Sequence, residues 1–284
     1  MKVRKRSLPP GWYPGGSSET LREIKTFETD LQEVVTTACA GVAPHAGWTF
    51  SGQLAFQVLR CFPPDVRTVA IVGGHMHPRS GVVAAFEEGF ETPLGTIEAD
   101  RELLEFLRGS LEVFEDRQAD NTVEIHLPLV KYLFPSARVV ALRCAPSEEA
   151  LTLGEALAGA DPKLGREPEG GLAVLGSTDL THYGRNYGFT PRGQGAEALA
   201  WVREVNDRRF IEALTALELD KALSTANQEH SACSAGGAVA AARFAEVKGC
   251  RSGRLLAYRT SHDVYPGESF VGYAGIIYPA PGQP

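Results

Sequence analysis

The chain has 284 residues, of which 43% are hydrophobic and 22% are charged, and its net charge is −7 at pH 7. These values are ordinary for a globular protein with a sizeable core, and they exclude disorder over most of the length. The acidic balance argues against broad nucleic-acid binding, and no apolar run approaches the roughly 20 residues that span a bilayer. The basic residues 1–6 are not followed by the apolar segment of a secretory signal, so we expect a cytoplasmic protein.

The first part of the chain, residues 1–17, contains proline, glycine and two aromatic residues and is predicted to be an irregular arm. A helix is predicted over residues 18–33, because acidic residues lie in its first turn. The Pro- and Gly-rich residues 161–171 are followed at once by a core strand, so we interpret them as a surface loop and not as a linker. We therefore expect a single α/β domain over residues 1–284.

Polar side chains follow the ends of predicted strands. Short, apolar, uncharged runs predict strands that are buried on both faces of a sheet: residues 37–43, 69–74 and 172–176. The polar residues that follow these runs are, in order, His45, then His75 and His77, then Asp179 and His182. In open α/β sheets, ligand-binding groups collect beyond the carboxyl ends of the strands. The sequence therefore predicts one site at this edge.

Further segments complete a mixed, mostly parallel sheet that is flanked by helices. Strands are predicted over residues 138–143, 254–259 and 272–278, and a strand or hairpin that forms a rim over residues 81–97. Helices are predicted over residues 53–59, 101–108, 147–159 and 194–217, with Ser51 and Ser147 as capping residues of the first and third.

Two more helical segments carry reactive side chains. Residues 227–238 predict a helix that begins near Cys233, and the small side chains of its first turns would let another group approach closely. The dipole at this end of the helix would favour the Cys233 thiolate. Residues 120–130 open another helix, in which Glu124 and His126 do not share a face unless Pro128 bends the chain.

The five cysteines contain no CxxC pair and are odd in number, so a disulfide framework or a structural zinc knuckle is not expected. Cys39, Cys61 and Cys144 lie in apolar runs and are interpreted as core residues. Cys233 is different, because it lies beside polar residues and can act as a ligand.

A metal site follows if His45, His75 and Cys233 meet. Two neutral imidazoles and one thiolate suit iron(II), copper or zinc and leave a coordination position open. His77 is an alternative to His75, since either histidine can follow its strand into the site.

Other polar residues can assist such a site. Asp179 can orient a ligand imidazole, and His182 can move protons, which makes them candidate catalytic residues. Trp48, Glu124 and His126 are candidates for the lining of a substrate pocket. Sequence signatures of HExxH zinc enzymes, P-loops, dinucleotide-binding turns and nucleophile elbows are absent.

Several motifs together resemble the Memo-like family, which includes the bacterial members called AmmeMemoRadiSam system protein B. The motifs are PHAGWTFSG at residues 44–52, TPLG at 92–95, VEIHLP at 123–128, STDLTHYG at 177–184 and the Cys233 segment. The resemblance extends from Gly11 and Trp12 to the last strand. It implies a fold similar to that of class III extradiol dioxygenases, which are non-haem iron enzymes with a mixed sheet flanked by helices.

The resemblance implies that His45, His75 and Cys233 bind the metal and that His182 is the acid–base residue. The spacing back from the TPLG motif selects His75 and not His77. On this basis we expect a metal-dependent redox enzyme that binds iron or copper and acts on a small molecule or a peptide. Neither the substrate nor the oligomeric state follows from the sequence.

Two alternatives stay open at this point. The same cleft could belong to a hydrolase that uses zinc, or that uses Cys233 as a nucleophile beside a histidine. It could also be a non-enzymatic site for a peptide or a small aromatic ligand, since Memo-like proteins are associated with phosphopeptide partners.

Overall fold

A computed structural model of the protein describes residues 1–29, 36–164 and 171–282, and these residues contain two β-sheets. The strands are β1 (Val3–Arg4), β2 (Ala38–Ala43), β3 (Thr68–Gly73), β4 (Val82–Ala84), β5 (Gly89–Thr92), β6 (Gly95–Glu98), β7 (Val113–Glu115), β8 (Arg138–Cys144), β9 (Leu172–Ser177), β10 (His182–Tyr183), β11 (Arg254–Thr260) and β12 (Phe270–Pro279).

The large sheet has the strand order β10-β12-β2-β9-β3-β8-β4-β7, and β11 pairs with β12 outside this path. Its centre is parallel, because β9 lies between β2 and β3 and β3 pairs with β8 in the same direction. Strand β12 runs antiparallel to β2, and β4 runs antiparallel to β8. The carboxyl ends of β2, β9, β3 and β8 therefore meet at one edge of the sheet.

Helices cover both faces of this sheet. They are α1 (Ser17–Thr29), α2 (Trp48–Leu59), α3 (Arg101–Ser110), α4 (Asn121–Glu124), α5 (Leu127–Leu133), α6 (Glu148–Lys163), α7 (Ala196–Trp201), α8 (Asp207–Thr215), α9 (Leu219–Glu229) and α10 (Ala235–Val247). On one face α10 packs on the central strands together with α6, and on the other α2 packs on β2 and β12. Each face of the sheet has its own hydrophobic core, and alternate residues of β3 belong to different cores. Ala70 and Val72 face α10, whereas Val69 and Ile71 face the side of α2.

This architecture confirms the predicted fold class, a mixed and mostly parallel sheet flanked by helices. The prediction of one domain over residues 1–284 stays a prediction. The arm is less irregular than expected, because β1 adds a parallel strand to the β5–β6 hairpin. Of the helix predicted over residues 18–33, α1 accounts for the part up to Thr29, and the remainder lies outside the described residues. The predicted loop 161–171 begins inside α6, and residues 165–170 lie outside the described residues as well.

Of the two predicted serine caps, Ser51 is wrong, whereas Ser147 does occupy the residue before α6 but makes no capping hydrogen bond. Helix α2 begins earlier, at Trp48, and the Ser51 hydroxyl donates to the carbonyl oxygen of Ala46 at 2.8 Å. The Ser147 hydroxyl contacts the carboxylate of Glu149 instead of a backbone N–H of α6. Ser51 therefore lies within the first turn of α2, and the Ser147 hydroxyl bonds a side chain in the first turn of its own helix.

The long helix predicted over residues 194–217 contains a π-helical turn, Val202–Asn206, between α7 and α8. The inserted residue rotates the helix so that two polar side chains face the interior. Asn206 donates to the hydroxyl of Thr181 at 2.8 Å, and Asp207 accepts a hydrogen bond from the backbone N–H of Thr181 at 3.0 Å. A search of the described residues finds no helix that is long and apolar enough to cross a membrane.

Candidate metal centre

Three side chains from different elements meet at the carboxyl edge of the large sheet. His45 follows β2, His75 follows β3, and Cys233 precedes α10. The Nε2 atom of His45 lies 3.2 Å from Nε2 of His75 and 3.3 Å from Sγ of Cys233, and all three ligand atoms lie within 4.8 Å of one another. Donors around a tetrahedral zinc-like ion are about 3.3 to 3.7 Å apart, given the usual metal–nitrogen and metal–sulfur bond lengths. The two distances from His45 are close to this range, so the cluster is compact enough to hold one metal ion.

The loop after β9 ties His45 to Cys233. The Oδ1 atom of Asp179 accepts a hydrogen bond from the backbone N–H of His45 at 2.7 Å, and its backbone carbonyl accepts one from the N–H of Cys233 at 3.2 Å. The Oδ2 atom is 3.9 Å from Nε2 of His45, which is beyond hydrogen-bond distance. Burial raises the pKa of Asp179 to about 6. The geometry gives Asp179 a positioning contact with the backbone, and its predicted catalytic role stays a prediction.

His75 forms the solvent side of the cluster, with 43% of its side chain exposed. Its Nδ1 atom lies 3.5 Å from the Asp120 carboxylate, which also accepts a hydrogen bond from the N–H of Thr122 at 2.8 Å. Burial alone would raise the pKa of Asp120. The hydrogen bonds from His75 and Thr122 outweigh burial and hold this pKa well below its usual range. Asp120 is therefore an anion at neutral pH, and it favours the tautomer of His75 that carries its proton on Nδ1. The Nε2 atom of His75 is then unprotonated, and its lone pair can bind a metal.

The alternative ligand His77 lies outside the cluster. It is exposed, and its Nδ1 atom accepts a hydrogen bond from the N–H of Arg79 at 3.3 Å. Gly74 allows the chain to turn so that His75 enters the cluster and His77 does not. Its φ of +112° turns the chain directly after β3, and a side chain there would collide with the Cβ of Arg143.

A buried serine links His45 to a second histidine. The Oγ atom of Ser177 lies 3.0 Å from Nδ1 of His45 and 2.9 Å from Nε2 of His126, and all three residues are buried. Burial, followed by the charge of His75, lowers the pKa of His45 well below its usual value. Burial, followed by the charge of His45, lowers the pKa of His126 to about 3. Both rings are therefore neutral at physiological pH.

The hydrogen-bond arrangement fixes which nitrogen of His45 is free. If Nε2 acts as a ligand, Nδ1 carries the proton and donates a hydrogen bond to the hydroxyl of Ser177. This hydroxyl in turn donates a hydrogen bond to Nε2 of His126. The remaining nitrogen, Nδ1 of His126, is buried and has no hydrogen-bond partner among the described residues. Sequence reasoning missed Ser177, although a polar residue at the end of a buried strand, two positions before Asp179, was a usable signal.

His182 lies on the other side of Cys233, in β10. Its Nδ1 atom is 3.1 Å from the carbonyl oxygen of Leu180, so in the neutral ring Nδ1 is the donor and Nε2 the acceptor. A cavity of about 290 Å³ lies beside these residues, and its lining includes His182, Tyr187, Phe189, His230 and Cys233. The ring of Tyr187 stands edge-on to that of His182, with centroids 5.0 Å apart. This cavity offers a small molecule one route to the cluster, beside Cys233.

The residues predicted to line the substrate pocket are placed elsewhere. Trp48 is buried, its Nε1–H donates to the carbonyl oxygen of Ile125 at 3.1 Å, and its ring packs on those of Tyr13 and Phe27. His126 is buried, and its Nε2 atom contacts Ser177, which also contacts His45. Neither Trp48 nor His126 belongs to the described lining of the cavity beside Cys233.

Glu124, the third of these residues, fastens the amino-terminal arm. Its carboxylate accepts hydrogen bonds from the N–H groups of Ser7 at 2.8 Å and Leu8 at 3.0 Å, and from the hydroxyl of Tyr13 at 2.9 Å. The helix predicted over residues 120–130 is split into α4 and α5, so Glu124 and His126 point to opposite sides, as expected for residues two apart. A substrate-binding role for Trp48, Glu124 and His126 stays a prediction.

Cys233 lies just before the start of a helix, as predicted, but residues 227–238 do not form one continuous helix. Helix α9 ends at Glu229, His230 follows in a left-handed conformation with φ of 52°, and α10 begins only at Ala235. Burial, followed by the charge of Asp179, raises the pKa of Cys233 well above its ordinary value. The expected thiolate therefore requires a bound cation, which would offset this desolvation.

The small residues of α10 let another group approach closely, as predicted. A side chain at Gly236 would collide with the carbonyl oxygen of Cys144, and one at Gly237 with that of Val72. The group that approaches closely is the backbone of the central sheet, not a ligand. These glycines let α10 pack directly on the strand ends and so bring Cys233 to the edge of the sheet.

Comparisons with known proteins agree with the motifs. The family profile described as Memo-like protein matches residues 4–277. A MEMO1 family protein of Pyrococcus horikoshii is 31% identical over 284 residues, covering 94% of this chain and 96% of its own. A MEMO1 family protein of Methanothermobacter thermautotrophicus is 33% identical over 294 residues, covering 96% and 99%. Among solved structures, an uncharacterized protein of Escherichia coli K12 matches with a TM-score of 0.48 and 13% identity, covering 83% of this chain and 98% of its own.

Proposed function

The chain belongs to the Memo-like protein family, and we propose that it is a metal-dependent redox protein whose iron or copper ion is held by His45, His75 and Cys233. The observation that supports this proposal is the convergence of two imidazole nitrogens and one sulfur, with His45 Nε2 at 3.2 Å and 3.3 Å from the other two. Elsewhere in the described chain no comparable group of three ligand side chains was found.

The donor set fits a transition metal. Imidazole suits iron, copper and zinc, thiolate suits soft ions, and calcium and magnesium prefer oxygen ligands. The lowered pKa of His45 keeps its ring neutral and able to donate a lone pair, and Ser177 fixes the required tautomer. Burial and the charge of Asp179 raise the pKa of Cys233, and a bound cation would offset both effects and favour the thiolate.

A bound iron or copper ion would supply one-electron chemistry and an open coordination position. The contribution of the protein is to hold the ligands, to exclude water on the Ser177 side and to handle protons on the Cys233 side. With Nδ1 held by the Leu180 carbonyl, Nε2 of His182 can accept a proton from an acidic group of a molecule in the cavity and return it later. The substrate is accordingly expected beside His182, in the cavity lined by Tyr187 and Phe189.

The hydrolase alternative divides into two cases. A cysteine nucleophile is disfavoured, because burial and the Asp179 carboxylate raise the pKa of Cys233 and so oppose its thiolate. A zinc hydrolase would use the same three ligands and differs from the proposal in the metal. A non-enzymatic binding site would need the cavity and not the ion. The metal content separates these cases.

The test is elemental analysis of protein that has been purified without chelators or affinity metals. Wild type is compared with Cys233→Ser and with Cys61→Ser, a matched control in which another buried thiol is removed from the end of α2. We expect about one iron or copper per chain in wild type and in the control, and less than about a tenth of that in Cys233→Ser.

The metal-loaded protein is then assayed for dioxygen uptake with ascorbate as reductant. Zinc in place of iron and copper would overturn the redox proposal in favour of the hydrolase. Equal metal content in wild type and Cys233→Ser would overturn the ligand assignment. Metal-free protein in all three samples would leave a cavity that binds a ligand without an ion.

A further inference from the structure

Two cysteines that are 211 positions apart in the chain touch each other. The Sγ atoms of Cys39 and Cys250 lie 3.4 Å apart, and both side chains are free thiols. Cys39 is in β2 and Cys250 follows α10. Because His45 follows the other end of β2, the thiol pair lies about 20 Å from the metal cluster along the strand. The pair is therefore a separate site, and it does not rest on the proposed function.

The backbone on both sides holds this contact in place. Gly249, with φ of +95°, ends α10, and the N–H of Cys250 donates to the carbonyl oxygen of Ala245 at 2.9 Å, which fixes the turn. The Cys250 thiol donates to the carbonyl oxygen of Pro279 at 3.0 Å. Strand β12 is also paired with β2, so the same strand end positions both sulfur atoms.

The two thiols are not equivalent. A hydrogen bond from Cys39 lowers the pKa of Cys250, whereas the same contact, together with burial, raises the pKa of Cys39. The contact therefore favours a thiolate at Cys250 over one at Cys39, and such a thiolate would accept a hydrogen bond from Cys39. Cys39 is partly exposed and Cys250 is buried, so a small solute would approach the pair from the side of Cys39. Cys39 packs against the core, as predicted, and it is also one half of a contact between two thiols.

We propose that Cys39 and Cys250 form a reversible disulfide when the protein meets a hydroperoxide such as hydrogen peroxide. The Cys250 thiolate attacks one peroxide oxygen; a sulfur–oxygen bond forms, the oxygen–oxygen bond breaks, and the leaving hydroxide takes a proton to become water. The Cys39 sulfur then attacks the Cys250 sulfur. A sulfur–sulfur bond forms, the sulfur–oxygen bond breaks, and the second hydroxide takes the Cys39 proton. Two thiols are oxidised and one hydrogen peroxide is reduced to two waters.

The geometry makes the second step short. A disulfide bond is about 2.05 Å long, so the sulfur atoms need to approach by only about 1.4 Å, which side-chain rotation can supply. The cross-link would join the first half of the sheet to the end of α10, and closing so long a loop restricts the unfolded chain. A lone cysteine would instead continue to sulfinic acid, because it has no neighbouring thiol to intercept the sulfenic acid.

The test treats the reduced, full-length wild type with hydrogen peroxide, followed by catalase, intact-mass measurement and non-reducing peptide mapping. We expect the loss of two hydrogens per chain, a peptide in which Cys39 is joined to Cys250, and recovery of both thiols with dithiothreitol. The oxidised protein should unfold at a temperature about 5 °C higher or more. The treatment is repeated in a Cys233→Ser background, so that oxidation at the proposed metal ligand cannot account for the result.

Matched variants complete the design. Cys39→Ser should gain oxygen at Cys250 instead of losing two hydrogens, and Cys61→Ser should behave as wild type. The proposal is overturned if wild type gains oxygen at Cys39 or Cys250 without a cross-link, or if the cross-link joins Cys233 or two separate chains. Peptide mapping of wild type alone decides these outcomes, so the result does not depend on the folding of a variant.

Discussion

Strand β2 leads to a sulfur contact near each of its ends, and the two contacts are built for different chemistry. Beyond its carboxyl end, the Cys233 thiol lies 3.3 Å from Nε2 of His45, next to a second imidazole. Near its amino end, the Cys39 thiol lies 3.4 Å from another thiol, that of Cys250. The partner decides the difference, since imidazoles and a thiolate can share a metal ion, whereas two thiols can share a covalent bond.

Burial acts on both contacts but with different results. At the carboxyl end it raises the pKa of Cys233 and lowers that of His45, which favours a neutral cluster until a cation enters. At the amino end the hydrogen bond between the two sulfurs changes their pKa values in opposite directions. The pKa of Cys39 rises and that of Cys250 falls. The first arrangement requires an ion to produce a thiolate, and the second favours one without an ion. The comparison can be tested by removing one group at a time.

The largest effect is expected from the loss of a ligand at the carboxyl end. His45→Ala should weaken the affinity for iron(II) or copper by more than about 100-fold, because the substitution of residues that only support a ligand already costs up to that much. The measurement is a competition titration against a chelator of known affinity. The matched control is His77→Ala, which removes an exposed imidazole outside the cluster. Equal losses in the two variants would contradict the assignment of the cluster.

The next effect concerns His182, which is expected to act on protons and not on the metal. His182→Gln should keep its iron or copper content within about twofold and lower the rate of dioxygen uptake by about 100-fold to 10,000-fold, the usual contribution of general acid–base catalysis. His262→Gln serves as the control, since this ring bonds the backbone of Gly267 at the surface. A variant that loses its metal along with its rate would assign His182 to the ligand set instead.

A smaller effect is expected from the buried serine that supports His45. Ser177→Ala leaves the Nδ1–H of His45 without its acceptor, so the affinity for the metal should fall by about 10-fold to 100-fold. Ser51→Ala is the matched control, because it removes a buried hydroxyl that bonds the carbonyl of Ala46 but does not touch the ring.

Thermal unfolding of the metal-free proteins distinguishes a loss of support for His45 from a general loss of structure. If both serine variants lower the unfolding temperature equally and only Ser177→Ala loses affinity, the positioning role holds. If the affinities fall together, the effect of Ser177 is only structural.

The sequence predicted the carboxyl end of β2 well, because its signals are local. Buried parallel strands are continuous apolar runs, and the polar residues that follow them, His45 and either His75 or His77, lie where parallel strands end. The family resemblance was needed to select His75. Ser177 was missed because its hydroxyl matters only through two rings that come from other elements. The roles expected for Glu124 and Trp48 depended on where the arm packs, and no periodicity in the sequence carries that information.

The amino end of β2 could not be predicted in the same way. Cys39 and Cys250 lie in unrelated segments, and each alone is typical of a core residue. Their contact follows from the antiparallel addition of β12 beside β2 and from the turn that Gly249 gives to the end of α10. Both are tertiary features, so a count of cysteines and their spacing predicts the absence of a disulfide framework but not the presence of one reactive pair.

The smallest effect is expected from the removal of one thiol at the amino end of β2. In Cys250→Ser the hydroxyl can still donate to the carbonyl oxygen of Pro279, so the free energy of unfolding under reducing conditions should change by only about 1 kcal/mol. The metal content should equal that of wild type, because the cluster with Cys233 lies beyond the opposite end of β2. Chemical denaturation and elemental analysis of the same sample give both values. If Cys250→Ser lost its metal as Cys233→Ser is expected to, the two sulfur contacts would be parts of one coupled site, and the distinction drawn here between ligand and cross-link would fail.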